Sequence, residues 1–228
     1  MSITFSQNTL KVLENYASIN PSLVFKEGSI LATISIGKTI MAKASIEESI
    51  PDTFAIYDLS RFLSVLGLFT NPTIDVDGKS LTISSDGGRK VNYTCAEPNL
   101  IFGPNKINPY EKALKMPSID VSFNLEESKI EELRKAAAVL KTPDIVIEGY
   151  RGRLLLKTMD VQNPSGDVFT LDLGENENTF KFIIRRDNLK ILPGNYLVEL
   201  SAERLSKFTG TNIEYFVSLE KESFFNKD

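Results

Sequence analysis

The chain has 228 residues, with 26 Lys and Arg against 30 Asp and Glu and a formal net charge of −4, which argues against a simple cationic coat for nucleic acid. At 42% apolar and 25% charged it can bury one large core or two smaller ones, and disorder is disfavoured. It contains no histidine and a single cysteine, Cys95. That excludes an intrachain disulfide and any Ser-His or Cys-His nucleophile pair, leaves no ligand set for zinc, and points to a reducing compartment.

The opening MSITFSQNTLKVLENY alternates polar and apolar residues, and no run approaches 18 consecutive apolar residues, so neither a signal peptide nor a membrane span is expected. Ser6 or Asn8 is placed to cap a helix with Leu10, Leu13 and Ala17 on one stripe, widened by Val12 and Tyr16, and with Lys11, Asn15 and Ser18 opposite. Asn20-Pro21 ends it. Strands at 23–25, 29–36 and 39–46 read as a meander around the turn residues Glu27-Gly28 and Gly37-Lys38. Strand 53–57 leads through the N-cap Asp58 into a helix with Leu59, Phe62, Leu63 and Leu66 inward and Arg61, Ser64 and Leu68 outward, stopped by Asn71-Pro72. Short strands at 73–76, 80–84 and 89–94 turn at Asp77-Gly78 and Asp86-Gly87-Gly88.

Between Glu97 and Ser118 periodicity vanishes and Pro98, Pro104, Pro109 and Pro117 appear, which predicts a connector (97–118) between a first domain (1–96) and a second (119–228). Its apolar Leu100, Ile101, Phe102, Ile107 and Tyr110 must either pack on the body or offer a surface to a partner. Strand 119–123 and Asn124 then open a helix to Leu140, with Ile130, Leu133, Ala137 and Leu140 inward, Ser128, Glu131 and Lys135 outward, and Lys129 and Arg134 on the flanks; Thr142-Pro143 ends it. Strands follow at 144–150, 152–159 and 167–174, with a tight turn from Gly149 to Gly152. Strand 180–184 runs into a basic turn of Arg185, Arg186, Asp187 and Lys190, and Tyr196, Val198 and Leu200 share one face of the next strand before LSKFTG and IEYFVSL close the sheet.

Two stretches repeat one unit. Thr53 to Val76 and Thr179 to Leu200 each begin with a Thr-Phe strand, pass a polar opening, and break at proline before another strand; their threonines stand 126 positions apart. An internal duplication leaves this pattern. Each half reads helix, strands, helix, strands, so the fold class is α+β, two repeated domains with helices on one face of antiparallel sheets.

Chemistry is sparse. Asp75-Val76-Asp77-Gly78 lacks the remaining ligands and closing Glu of a calcium loop, and Gly149-Tyr-Arg-Gly has no Lys-Ser/Thr continuation for a phosphate cradle. The adjacent acids Glu47-Glu48 and Glu126-Glu127 diverge, and suit a solvated surface or a first helical turn. No metal, cofactor or catalytic set is predicted. The recurring feature is cationic: Lys11, Arg61, Lys129, Arg134, Lys135, Arg185, Arg186 and Lys190 sit on equivalent elements of both halves. In a closed ring, those polar helix faces would line a hole.

AIYDLSRFL at 55–63, FGPNKINPY at 102–110 and ENTFKFIIRRDNLKILPGNYLVEL at 177–200, with the earlier ENYASIN, closely resemble the sliding clamps of T-even type bacteriophages along essentially the whole chain. The resemblance implies clamp-type domains closing head to tail into a homotrimeric ring around duplex DNA, without catalysis. The implied partners are double-stranded DNA read without sequence preference, the replicative DNA polymerase, an ATP-driven clamp loader and late-transcription factors, in the cytoplasm of an infected bacterial host. It makes the eight cations DNA-facing. It also pairs the strand of Arg89, Val91 and Tyr93 with that of Asp167, Phe169 and Leu171 in the neighbouring subunit. Ile101, Phe102 and Pro104 would dock partner peptides, and Phe224 and Phe225 would form a partner-contacting tail or an interdomain plug. The alternative from another class is a structural ring protein of a virion, which needs no cationic lining.

Overall fold

The computed structural model describes residues 2–77, 79–103 and 115–226, and its contacts divide the chain into Met1–Leu114 and Lys115–Asp228. Half of the expected connector, with Pro104, Ile107, Pro109 and Tyr110, lies outside the described residues, as does Gly78 of the expected Asp77-Gly78 turn.

The first unit runs β1 (Ser2–Ile3), α1 (Gln7–Ile19), β2 (Leu23–Phe25), β3 (Gly28–Ile34), β4 (Ile40–Ile50), β5 (Phe54–Ile56), α2 (Leu59–Leu66), β6 (Thr73–Asp77), β7 (Ser80–Ser84) and β8 (Lys90–Thr94). Ser6 caps α1, its hydroxyl accepting from the Thr9 amide. The stripe that α1 buries is Thr9, Leu13, Tyr16 and Ile19, a rotation away from the expected Leu10–Leu13–Ala17 line. The cause is tertiary. The Glu48 carboxylate on β4 accepts from the Ser6 amide and the Thr9 hydroxyl, drawing a polar residue into the contact face. Glu48 is therefore an anchor, not solvated surface as expected. Burial works to raise its pKa, but the hydrogen bonds from Thr9 and Ser6 outweigh it and hold the carboxyl below its ordinary value.

The expected meander is corrected: β2 pairs antiparallel with β5 (Val24 opposite Ala55), while β3 pairs with β4. This exchange sets Phe25 on Phe54, with ring centroids 4.5 Å apart, and Phe62 from α2 completes the cluster edge-on. Asp58 caps α2 as expected, accepting from the Arg61 amide at 2.9 Å. The helix stops at Leu66 with Gly67 as its C-cap, ahead of the expected Asn71-Pro72. Strand β1, too short to show periodicity, adds to β6, β7 and β8 in one sheet.

The second unit runs β9 (Val121–Leu125), α3 (Glu127–Leu140), β10 (Asp144–Tyr150), β11 (Arg153–Met159), β12 (Phe169–Glu175), β13 (Thr179–Arg185), β14 (Tyr196–Ser201), β15 (Leu205–Thr209), β16 (Ile213–Ser218) and β17 (Phe224–Asn226). One sheet has the order β12-β11-β10-β13-β17, and β9, β14, β15 and β16 are neighbours in the other. Asn124 does not open α3: it lies within β9 opposite Leu197. The first free amide of the helix, on Glu127, is satisfied from a distance by the side-chain Oδ1 of Asn195 at 2.9 Å. Where the duplication predicts a second helix, the unit has a single 3₁₀ turn, Arg186–Asn188. Leu189 and Ile191 both bury their side chains, a two-residue spacing that no helix face satisfies, and Pro193 then removes an amide.

Arg151 (φ 49°) and Gly152 (φ 79°) make the two-residue turn between β10 and β11 with positive φ at both positions, the geometry that matches strand twist. Gly149 has a different reason. A Cβ there would stand 2.2 Å from the Asn178 carbonyl oxygen and 2.6 Å from the Phe180 ring, where Gly149 lies opposite Phe180 in the antiparallel pairing of β10 with β13. Gly149→Ala is expected to lower stability by about 3 kcal/mol, as overpacking against backbone does. Urea denaturation that put the loss under about 0.5 kcal/mol would show that the close approach relaxes freely.

Candidate functional site

The eight expected cations separate into two groups. Lys11 on α1, Arg61 on α2 and Lys135 on α3 are exposed, and Lys129 on α3 is half-buried. Lys135 stands 3.9 Å from Glu131 one turn back, an exposed pair of little energetic weight that leaves the ammonium available. These four sit on helices, the elements the sequence selected.

Of the other four, Arg185, Arg186 and Lys190 lie on a strap from Arg185 to Asn195 that runs along α3, and Arg134 reaches that strap from α3 itself. Asn195 holds the helix N-terminus. In the middle, the Arg134 guanidinium donates to the Leu189 and Ile191 carbonyls at 3.2 and 2.7 Å. At the far end, Arg186 donates to the Ala137 carbonyl at 3.3 Å, a fit for a cation at a helix C-terminus. The strap is locked further where Tyr215 accepts from the Leu192 amide and Tyr196 donates to the Leu192 carbonyl. Burial pushes the Tyr196 hydroxyl up to about 12 and raises that of Tyr215 as well. Burial also lowers the pKa of Arg134. Arg134 was expected to face DNA; it is a tie between helix and strap. Lys190 sits half-buried on the same strap.

Arg185 is likewise committed. It donates to the Asp144 carboxylate at 2.8 Å and approaches Glu220 at 3.9 Å. Asp144 is fully buried; its second oxygen accepts from the Val161 amide at 3.0 Å. One carboxylate thus joins the basic strap to the loop that precedes β12. Sequence reasoning passed over Asp144, whose only signal was its place just after the helix-ending Thr142-Pro143.

The two expected interface strands are both sheet edges: β8 ends its sheet in the first unit and β12 ends its sheet in the second. Each carries an apolar inner side. Tyr93 packs edge-on to Phe62 at 5.4 Å with Val91 half-buried beside it, Leu171 is buried and Phe169 half-buried. Arg89 and Asp167 are exposed at the margins.

Ile101, expected to contact partners, is 3% exposed and packs with Val24, Ala55 and Ala96; of the two readings open for the connector, it takes the packing one. Pro104 lies outside the described residues, and Phe102 is half-buried. The start of the connector is held by Asn20, a residue the sequence offered only as a helix breaker. Its buried amide nitrogen donates to the Ile34 and Phe102 carbonyls at 2.9 and 3.0 Å, and its oxygen accepts from the Ser22 amide and hydroxyl, so both donors and both acceptor sites are used. Phe224 and Phe225 form β17, paired with β13. Phe225 stacks near Phe180 and Phe182 at 6.1 and 6.4 Å, leaving Phe224 45% exposed. The tail is thus an edge strand of its own unit.

Among the described residues no cluster of His, Cys, Asp and Glu could hold a metal, and no helix is long and apolar enough to cross a membrane.

This architecture recurs in solved structures. The A. fulgidus PCNA bound to the C-terminal region of FEN-1 superposes with a TM-score of 0.71 over 97% of this chain and 99% of that one, at 12% identity. The DNA polymerase III subunit beta of Pseudomonas aeruginosa gives 0.67 over 98% of this chain and 66% of that one, at 14% identity. The class is therefore the sliding-clamp fold, two α+β units of antiparallel sheets with few helices. The DNA polymerase processivity factor family model matches residues 6–103, and that of the gp45 sliding clamp, C terminal, matches 122–221. The sliding clamp of Vibrio phage KVP40 is 32% identical over 223 residues, covering 94% of this chain and 98% of that protein. The clamp of Enterobacteria phage T4 is 30% identical, covering 96% and 97%. The chain belongs to this phage sliding-clamp family and is a DNA polymerase processivity factor. Family membership selects that function over a ring protein of the virion.

Proposed function

We propose that this chain closes head to tail into a homotrimer around duplex DNA, with no chemistry of its own. The observation that carries the reading is that β8 in the first unit and β12 in the second are both sheet edges with an apolar inner side, Val91 and Tyr93 on one and Phe169 and Leu171 on the other. Open edges of this kind are aggregation hazards unless they pair, and a heterologous contact that closes pairs every one of them in a ring. Lys11, Arg61, Lys129 and Lys135 face the duplex, with Lys190 and the exposed parts of Arg185 and Arg186 at the margin. Three subunits at −4 carry −12 between them, so the ring as a whole is repelled by the phosphate backbone while a few inward cations ease its passage. Tight contacts to 6–10 phosphates, by contrast, would give strongly salt-dependent binding that hinders travel. Topology retains the ring.

An ATP-driven loader opens the ring in the cytoplasm of the infected bacterium. The replicative polymerase docks beside Phe102 and Pro104, with the exposed Phe224 as a further apolar contact, and late-transcription factors share the ring. The tests are direct. The native particle is expected at about three times 25.4 kDa; a strict monomer at micromolar concentration overturns the trimer. Protein loaded on circular DNA is expected to remain through a high-salt wash and to leave once the circle is cut. Retention on the cut linear duplex would refute encirclement.

A further inference from the structure

The contact between β8 and β12 of adjoining copies has several conceivable alignments, and the backbone pattern of each strand selects one. In β8, the Cys95 amide donates to the Lys79 carbonyl and the Ser85 amide to the Arg89 carbonyl. Arg89, Val91, Tyr93 and Cys95 therefore turn their backbone groups toward β7, and Lys90, Asn92 and Thr94 present theirs to the open edge. In β12 the phase follows from the tight turn before β11, which makes Tyr150 and Arg153 a bonded pair. Leu154, Leu156 and Thr158 consequently face β12 and engage Gly174, Leu171 and Phe169. Thr170 and Asp172 are left facing the open edge. The side chains agree with the backbone. Lys90, Asn92 and Thr94 are exposed where Val91 and Tyr93 turn inward, and Thr170 and Asp172 are exposed where Phe169 and Leu171 turn inward.

We propose, building on the ring reading, that β8 pairs antiparallel with β12 of a second copy with Asn92 opposite Thr170, Lys90 opposite Asp172, Val91 opposite Leu171 and Tyr93 opposite Phe169. This alignment joins open backbone groups to open backbone groups and continues the apolar layer without a break. A slip of one residue turns each inner side chain outward. A slip of two in one direction sets Lys90 against Gly174, whose backbone is already engaged with Leu154. A slip of two in the other direction sets Tyr93 against Asp167. Parallel pairing with the apolar residues matched leaves Lys90 opposite Val168 and loses the charge pair. Asp172 already accepts from Arg153 at 2.8 Å and from the Gly174 amide at 2.9 Å. Lys90 of the adjoining copy completes a plus-minus-plus cluster on the outer face, a recognition element between copies.

Cysteine pairs test the alignment in a Cys95→Ser background, which carries no other thiol. Directly opposed bonded residues lie about 5.5 Å apart at Cα, within disulfide range, and diagonal neighbours about 7–8 Å apart. Asn92→Cys with Thr170→Cys is expected, on oxidation, to convert most of the protein into covalent dimers and trimers on a non-reducing gel, and Asn92→Cys with Asp172→Cys is not. Efficient cross-linking of the second pair instead overturns the alignment and leaves the ring intact. Absence of both cross-links from a particle of trimer mass overturns the strand pairing, whereas a monomer mass in the uncrosslinked protein is the failure of the ring reading itself. Lys90→Glu is expected to shift trimer toward smaller species at fixed concentration; an unshifted distribution removes the charge pair from the proposal.

Discussion

Asp144→Ala is expected to destabilise the second unit by about 3 kcal/mol. The side chain is fully buried and accepts two hydrogen bonds, from Arg185 and from the Val161 amide. Breaking a buried ion pair from one side costs about 3–5 kcal/mol. Arg185 is 44% exposed and keeps Glu220 within 3.9 Å, so water and that second acid recover part of the loss. For a unit of this size the change corresponds to roughly 10 °C in melting temperature. Asp144→Asn, which retains an acceptor, falls between the two. Because the same carboxylate holds the loop before β12, amide exchange around Val161 should rise in the alanine variant even well below its melting point. A change of under about 0.5 kcal/mol would remove Asp144 from its place as the hub of the strap and that loop.

Reversing Lys11, Arg61, Lys129 and Lys135 together to glutamate is expected to cut loader-dependent processive synthesis by roughly tenfold or more. Each reversal adds two negative charges, taking a subunit from −4 to −12. The phosphates then meet a repulsive wall in place of mobile counter-charges. All four side chains are exposed or half-buried, and surface substitutions of this kind move stability little, so the particle mass and melting temperature should stay close to those of the parent. The contrast with Arg134→Ala is the informative part. That change removes a tie to Leu189 and Ile191, and it should lower stability before it touches DNA. Unchanged processivity in the fourfold variant would show that the helix faces do not meet the duplex.

The division between these two sets of cations is where sequence reading reached its limit. All eight were legible as basic residues and could be placed on an element, because charge and position on an element are properties of single residues and short spacings. Their separation was not. Arg134, Arg185 and Arg186 find carbonyl or carboxylate partners 41 to 57 positions away, and nothing local announces such a partner. The same logic covers Asn124, a good capping residue that pairing with β14 draws into a strand, and Ile101, apolar enough for a docking surface but covered by Val24 and Ala55.

What the amino-acid order determined by itself is the material of local physics: Asp58 as a cap, a tight turn between Gly149 and Gly152, and the two-residue and helical periods. Those features depend on neighbours within a few residues, and they sufficed for the α+β class; the clamp family came from the resemblance of the stretches at 55–63, 102–110 and 177–200 to known clamps. Tertiary structure alone decided which partners β2 and β3 take, which cations are bound internally, and that unit two replaces a helix with a strap. Each of those outcomes is a competition between distant groups for the same backbone edges and the same buried space, and only the folded chain brings the competitors together.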